Sequence, residues 1–236
     1  MELGEILSDA LVYPFHNIKA LIIYAIIGII LGISVGGTAA GILVGIANNN
    51  ALAVIGSGII GIIIAVVLGF FITGYNLDII KYGIERSDRG PEIDFVRQFI
   101  NGIKYLVVTI VYMIIPIIIG AILAVIFQHW LSSVLMIIIT IIFSLALMMA
   151  QCRLAKTEDL GYSLAIGDAI GDISRVGIIK LIALVVIVFI ISFIFIFIGS
   201  AIAQWNSVVG GVILGILGVY LTFFSGRASG LLYSDV

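Results

Sequence analysis

Charged residues, cysteine, proline and histidine are all scarce in this sequence of 236 residues. Only 10% of the residues are charged, and there are one cysteine, three prolines and two histidines. The single Cys152 excludes an internal disulfide framework and a cysteine-rich metal site. A net charge of −2 provides no electrostatic footprint for nucleic acid, so no nucleic-acid partner is expected.

Hydrophobic residues make up most of what is present. They account for 63% of the chain, and the mean hydropathy is +1.35. A water-soluble domain of this size cannot bury so much apolar surface in one core, so the composition predicts an all-α polytopic protein in contact with a lipid bilayer. Apolar runs long enough to cross a bilayer predict six transmembrane helices, at about 18–46, 52–80, 103–127, 131–151, 176–203 and 207–226. We treat residues 1–236 as a single integral membrane domain.

The connections between the predicted spans alternate in charge. The segments "ANNNA", "QHW" and "QWNS" contain no Asp, Glu, Lys or Arg. All eleven basic residues lie in or beside the other segments: Lys19, Lys81, Arg86, Arg89, Arg97, Lys104, Arg153, Lys156, Arg175, Lys180 and Arg227. The positive-inside rule therefore predicts a multi-pass protein of the cytoplasmic membrane with both termini in the cytoplasm.

The segments that enter the first, third and fifth spans resemble one another. Each mixes polar and apolar residues and closes on an Ile-Lys pair, Ile18-Lys19, Ile103-Lys104 and Ile179-Lys180. This similarity predicts three repeat units, at approximately 1–85, 86–158 and 159–236. Each unit would consist of an amphipathic interfacial helix followed by a transmembrane hairpin.

Two Gly-Asp pairs occupy the third of these amphipathic segments. Asp168, Asp172 and Arg175 lie at i, i+4 and i+7, on one face of a helix. Two carboxylates alone rarely hold a divalent cation, so a solvated polar face is the favoured interpretation over a cation site. Gly167 and Gly171 have the spacing that lets another helix approach closely, and we expect them to serve packing.

Glycine recurs at the same spacing along two spans. The predicted helix-packing seam comprises Gly28, Gly32, Gly36, Gly41 and Gly45 in the first span and Gly211 and Gly215 in the sixth, together with Gly167 and Gly171. Such spacing brings helix backbones together in lipid. Packing within one chain and an oligomer seam both remain open.

Polar residues cluster where the second, fourth and sixth spans end. Their positions predict a cytoplasmic vestibule formed by Tyr75, Asn76, Gln151, Arg153 and Arg227. The alternative is ordinary interfacial termination of each span, with side chains that reach toward the headgroups. His16 and His129 fall at opposite interfaces, so neither a metal site nor a bound cofactor is expected.

Two stretches carry a resemblance to a known family. The first is "GYNLDIIKYGIERSDRGPEIDF", with Gly74-Tyr75, the basic turn from Lys81 to Arg89, and Pro91-Glu92 to Phe95; the second is "GRASGLLY", with Gly226, Arg227, Ala228, Gly230 and Tyr233. On these residues the chain resembles domain-of-unknown-function family 4013, multi-span membrane proteins common in methanogenic archaea. The resemblance implies a multi-span topology and no activity, and the Ile-rich composition is compatible with an archaeal source.

The functional expectation depends on what the spans lack. No Asp, Glu, Lys, Arg or His falls in the central turns of a predicted span, whereas ion-coupled transporters and pumps need such a group at depth. No catalytic signature is present either, so we expect no enzyme activity. The first hypothesis is a membrane scaffold or accessory subunit that packs with other membrane proteins or as a homo-oligomer. A passive channel or permease for a small solute is the second hypothesis, and a lipid-modifying enzyme is the third.

Overall fold

The computed structural model describes residues 1–126 and 130–236, which form helices and no strands. The helices are α1 (Leu3–His16), α2 (Ile18–Ala47), α3 (Ala51–Ile84), α4 (Phe95–Ile126), α5 (Trp130–Thr157), α6 (Leu160–Ser163), α7 (Ile166–Val176), α8 (Ile178–Trp205) and α9 (Ser207–Tyr233). Six of them, α2, α3, α4, α5, α8 and α9, are long and apolar enough to cross a membrane. The prediction of an all-α multi-pass membrane protein is confirmed. The predicted end of the third span at 127 and the predicted interfacial His129 lie outside the described residues.

Side-chain caps and backbone breaks set several helix boundaries. Asn50 accepts a hydrogen bond from the backbone N–H of Ala53 at the start of α3, and Asn206 accepts two at the start of α9. Gly177 separates α7 from α8 with a φ of +99°, a conformation that favours glycine. Asn17, with non-helical backbone angles, separates α1 from α2.

The short helices differ from the expected pattern in the second unit. In the predicted first and third units the entry segments form separate helices, α1 and α7. The corresponding segment of the second unit is the first part of α4, which runs from Phe95 without interruption. The reason is local, because Asn101 and Gly102 are helical here and no residue plays the part of Asn17 or Gly177.

The long helices form three hairpins, α2/α3, α4/α5 and α8/α9. The helices α3 and α9 lie at the centre, since α3 packs on α2, α4, α5 and α9, and α9 also packs on α1, α2 and α8. Most Ile, Val and Phe side chains on the outer faces are exposed, as expected for helices that contact lipid tails. The buried side chains concentrate at one end of the bundle, where α1, the loop 85–94, the segment 158–165 and the end of α9 meet. We call this the charged end, and the opposite end the turn end.

Candidate functional site

Three long helices carry a buried charged side chain where they approach the charged end. These are Asp78 on α3, Arg153 on α5 and Arg227 on α9, each no more than 2% exposed. A charge buried in this way is tolerated when counter-charges and hydrogen bonds compensate for the lost hydration. Each of the three therefore identifies a point at which another element of the chain must supply partners.

Arg153 is held by the segment that follows α5. Its guanidinium donates to Asp172 at 3.0 Å, to Asp168 at 3.2 Å and to the backbone oxygen of Tyr162 at 3.0 Å. It also lies 3.7 Å from the centroid of the Tyr162 ring, a cation–π contact. The Tyr233 hydroxyl donates to Asp172 at 2.7 Å, which connects α7 to the end of α9. Hydrogen bonds to charged partners in several directions make this a rigid structural joint.

The same contacts correct the prediction of a solvated aspartate face on α7. Asp172 is completely buried, whereas the Asp168 side chain is 67% exposed. The helix turns one carboxylate inward because Arg153, buried at the end of α5, needs a counter-charge there. The Arg175 side chain, which is 69% exposed, donates a hydrogen bond of 3.0 Å to the second carboxylate oxygen of Asp172.

Arg227 is held by α1 and by the loop after α3. Its guanidinium makes two hydrogen bonds with the Asp9 carboxylate, at 2.7 and 3.2 Å, a bidentate arrangement. A further hydrogen bond of 2.7 Å reaches the backbone oxygen of Ser87. The guanidinium lies 4.8 Å from the centroid of the Tyr13 ring, and burial raises the pKa of Tyr13 to about 12, so this phenol stays neutral.

The charge on α3 has the opposite sign, and its partners come from the start of α4. Asp78 accepts hydrogen bonds from Arg97 at 3.0 Å and from the Gln98 side chain at 3.3 Å. The Gln98 oxygen accepts a hydrogen bond from the Tyr24 hydroxyl, and the Tyr24 ring stacks on Tyr75 at a centroid distance of 4.3 Å. This network joins α2, α3 and α4.

The five residues of the predicted vestibule do not share one cavity. Arg153 and Arg227 belong to separate ion-pair clusters, and Tyr75 is buried against Tyr24. Asn76 and Gln151 do meet, in a cavity of about 370 Å³ between α5 and α8. Ser225 on α9 lines the same cavity and was missed, although it precedes Arg227 by the same two residues that separate Asn76 from Asp78 and Gln151 from Arg153. This shared spacing of two residues before a charged residue is the sequence signal that could have identified Ser225.

The glycines of the predicted seam fall into three groups. Gly28 and Gly32 on α2 face Gly215 and Gly211 on α9, and a Cβ on Gly215 would stand 2.3 Å from the Gly28 carbonyl oxygen. This close approach of two backbones requires glycine on both helices. The next pair, Gly41 and Gly45, faces Ser57 and Val54 within the α2/α3 hairpin.

The third group does not contact a neighbouring helix. A Cβ on Gly36, Gly167 or Gly171 would have no neighbour within 4 Å. The packing role expected for the two α7 glycines therefore has no partner among the described residues, because α7 turns the face with Ala169, Asp172 and Ile173 inward instead.

A second, larger cavity lies along the contact between α2 and α9. It has a volume of about 580 Å³ and is lined almost entirely by apolar and small residues, among them Gly36, Ala39, Ala40, Leu214 and Gly218. We call it the α2–α9 cleft. Residues 1–126 and 130–236 place no group of three or more His, Cys, Asp or Glu side chains where they could hold a metal ion. Cys152 is buried, with Sγ 3.7 Å from the Ser229 carbonyl oxygen.

Comparison with known proteins identifies one family. A family model described as "Protein of unknown function (DUF4013)" matches residues 57–204, more than half of the chain. The chain belongs to this family. The match includes the stretch from Gly74 to Phe95 that carried the resemblance, while the terminal stretch from Gly226 to Tyr233 lies beyond it. No curated protein and no solved structure matches the chain. Membership of DUF4013 assigns no activity to the chain.

Proposed function

We propose that this DUF4013 protein is a non-catalytic membrane scaffold or accessory subunit that packs with other membrane proteins or with a second copy of itself. The observation that carries the proposal is the α2–α9 cleft. Its walls are made of glycine, alanine and aliphatic side chains, the residue types found where transmembrane helices approach each other closely. The cleft is large and nearly without polar groups, which suits a transmembrane helix better than a polar substrate.

The buried charges support the same proposal. Asp78, Arg153 and Arg227 are each engaged by counter-charges and backbone oxygens. Groups held in this way stabilise the bundle and are not placed to bind or to activate a substrate. The passive channel has less support, because these ion pairs fill the inner ends of three helices, where a conduit would need open space.

Site-specific photo-crosslinking tests the proposal. A photoreactive amino acid at Ala40, which lies in the cleft, should crosslink in native membranes to an identifiable membrane protein or to a second copy of the chain. The same amino acid at Val125, which is 79% exposed on α4, should crosslink mainly to lipid.

A cleft-filling variant makes the result specific. Ala40→Trp should abolish the crosslinked complex, and it should remove the same partner from the natively purified protein. Ala121→Trp, at an exposed position on α4, should leave the complex intact. Lipid adducts alone from position 40, or a complex that survives Ala40→Trp unchanged, would contradict the proposal.

A further inference from the structure

The cavity between α5 and α8 exists because one of three similar helix joints is open. The helix α2 packs closely on α9, and α4 packs closely on α3, whereas α8 lies along α9 and apart from α5. At the α3–α4 joint, glycine permits the approach, since a Cβ on Gly74 would stand 1.8 Å from the Gln98 carbonyl oxygen and one on Gly102 would stand 2.2 Å from that of Phe70. At the α5–α8 joint larger side chains line the gap, Met148 on α5 and Leu184 and Val188 on α8.

A space of about 370 Å³ remains where α8 stands apart from α5, within the size range of small-molecule sites. Side chains as large as those that line it keep helix backbones apart.

Polar side chains from α3, α5 and α9 line this space. Asn76, Gln151 and Ser225 all line it, and each precedes a buried charge by two residues. Asn76 is only 8% exposed, and its Oδ1 atom has no hydrogen-bond partner. The Ser225 hydroxyl donates to the Thr222 carbonyl at 3.2 Å, so its oxygen remains able to accept a hydrogen bond. A buried amide oxygen left without a partner has a free-energy cost. The Asn76 oxygen lies beside the Gly226 backbone, and rotation of the amide would turn it into the cavity, where a ligand that donates a hydrogen bond would remove that cost.

The rest of the wall defines the chemical class of that ligand. No charged side chain is among the described residues that line the cavity, and a charged ligand would lose its hydration without a counter-charge there. Leu184, Val188 and Phe189 of α8 supply an apolar side, and Phe189 is 68% exposed at the rim that faces lipid. Asn76 lies eight residues before the end of α3, roughly 12 Å along the helix axis from the charged end.

We propose that the cavity between α5 and α8 binds an uncharged amphiphilic lipid, with a hydroxyl or ester group hydrogen-bonded to Asn76, Gln151 and Ser225. Its acyl chain lies along α8 and leaves the cavity past Phe189 into the bilayer. This site is distinct from the α2–α9 cleft and does not depend on the scaffold proposal. Recognition comes from hydrogen bonds to neutral groups, so an anionic lipid of the same chain length is excluded.

Photolabelling in nanodiscs of fixed composition tests the site. The probe is a monoacylglycerol with a diazirine in its acyl chain, and the comparison is the fatty-acid carboxylate with the same chain and diazirine at pH 8. Labelling is quantified by mass spectrometry on the peptide that contains residues 184–192. Wild type should be labelled by the monoacylglycerol roughly tenfold more than by the carboxylate, the ratio expected when an uncompensated charge is rejected.

Two matched variants on one helix locate the lipid. Ser192→Phe places a large ring at a position that lines the cavity, and Ser200→Phe makes the same change at an exposed position further along α8. Labelling should fall roughly tenfold in Ser192→Phe and stay unchanged in Ser200→Phe, since a loss of about 1.4 kcal/mol corresponds to tenfold in affinity. Asn76→Leu, close in volume, should lower the preference for the monoacylglycerol over the carboxylate.

Size-exclusion chromatography first shows that both phenylalanine variants are monodisperse, so a loss of labelling does not reflect misfolding. If Ser192→Phe is labelled as strongly as Ser200→Phe, the lipid does not enter the cavity and the proposal is overturned. Equal labelling of wild type by the carboxylate also overturns it, because the cavity then selects for chain length and not for a neutral polar group.

Discussion

The two aspartates of α7 should differ sharply in their contribution to stability. Asp172 is completely buried between Arg153, Arg175 and the Tyr233 hydroxyl, whereas the Asp168 side chain is 67% exposed. Asp172→Asn keeps the shape of the side chain and an oxygen that can accept from Tyr233, but it removes the charge opposite Arg153. Removal of one partner of a buried ion pair costs about 3–5 kcal/mol, and the remaining contact with Asp168 places this case near the lower value.

Asp172→Asn should lower the thermal stability far more than Asp168→Asn. A loss of about 3 kcal/mol changes the ratio of folded to unfolded protein by roughly 140-fold and corresponds to a decrease in Tm of about 6–12 °C for a chain of this length. Asp168→Asn removes an exposed partner, for which the cost is at most about 1 kcal/mol, or less than about 4 °C. The measurement is thermal unfolding of both variants in the same detergent, with folded protein quantified by size-exclusion chromatography after heating.

A double-mutant cycle separates the ion pair from general damage to α7. In an Arg153→Met background no buried guanidinium remains without a counter-charge, so Asp172→Asn should cost less than about 1 kcal/mol there. Equal small shifts for Asp168→Asn and Asp172→Asn would refute the reasoning. So would a cost of Asp172→Asn that is the same with and without Arg153.

Two further predictions concern a helix contact and a surface ion pair. Gly215→Ala should lower Tm, because the new Cβ would stand 2.3 Å from the Gly28 carbonyl oxygen and overpacking costs about 1–3 kcal/mol. Gly218→Ala, whose new Cβ would meet nothing within 4 Å, should be neutral or stabilising by up to about 1 kcal/mol. Thermal unfolding of the two variants tests this, and equal effects would contradict the close contact between α2 and α9. Lys81 donates a hydrogen bond of 2.9 Å to Glu158 and holds the pKa of this carboxyl below its ordinary value of 4.5. The ion pair therefore stabilises the fold fully above pH 4.5, and this stabilisation is lost as the pH falls through the lowered pKa. The Tm difference between wild type and Glu158→Gln should therefore be constant near neutral pH and vanish in acid. The carboxylate is 41% exposed, so the stabilisation is under about 1 kcal/mol, or less than about 4 °C in Tm. A Tm difference that persists in acid would contradict the ion pair.

The helical part of the fold was readable from hydropathy, while the helix ends were not. The predicted spans 52–80, 131–151 and 207–226 correspond to helices that continue to Ile84, Thr157 and Tyr233. Hydropathy marks the part of a helix that lies in the hydrocarbon layer and stops at the first polar residues. Here the helices continue past that point because their polar residues, Arg153 and Arg227 among them, find buried partners.

The fate of Asp172 shows why the candidate site was harder to predict. The pattern of helix faces assigns polar residues to water, and it placed Asp168, Asp172 and Arg175 together on a solvated face of α7, whereas only Asp168 and Arg175 are exposed. The residue that makes Asp172 buried is Arg153, which lies 19 residues earlier on a different helix. The local sequence of α7 does not indicate this partner, because the ion pair depends on the tertiary packing of α7 against the end of α5.

The three buried charges also determine which end of the bundle is held more firmly. Arg227 binds α1, Asp78 binds the first turn of α4, and Arg153 binds α7, so the end of each hairpin is tied to a short helix or first turn that precedes a different hairpin. These ties are all at the charged end, and helix contacts alone hold the described part of the turn end, where many side chains of α2 and α3 are exposed. Local stability follows the density of such contacts. The charged end is therefore the more firmly held end of the bundle, and the partner helix proposed for the α2–α9 cleft would dock nearer the turn end, where helix contacts alone hold the described residues.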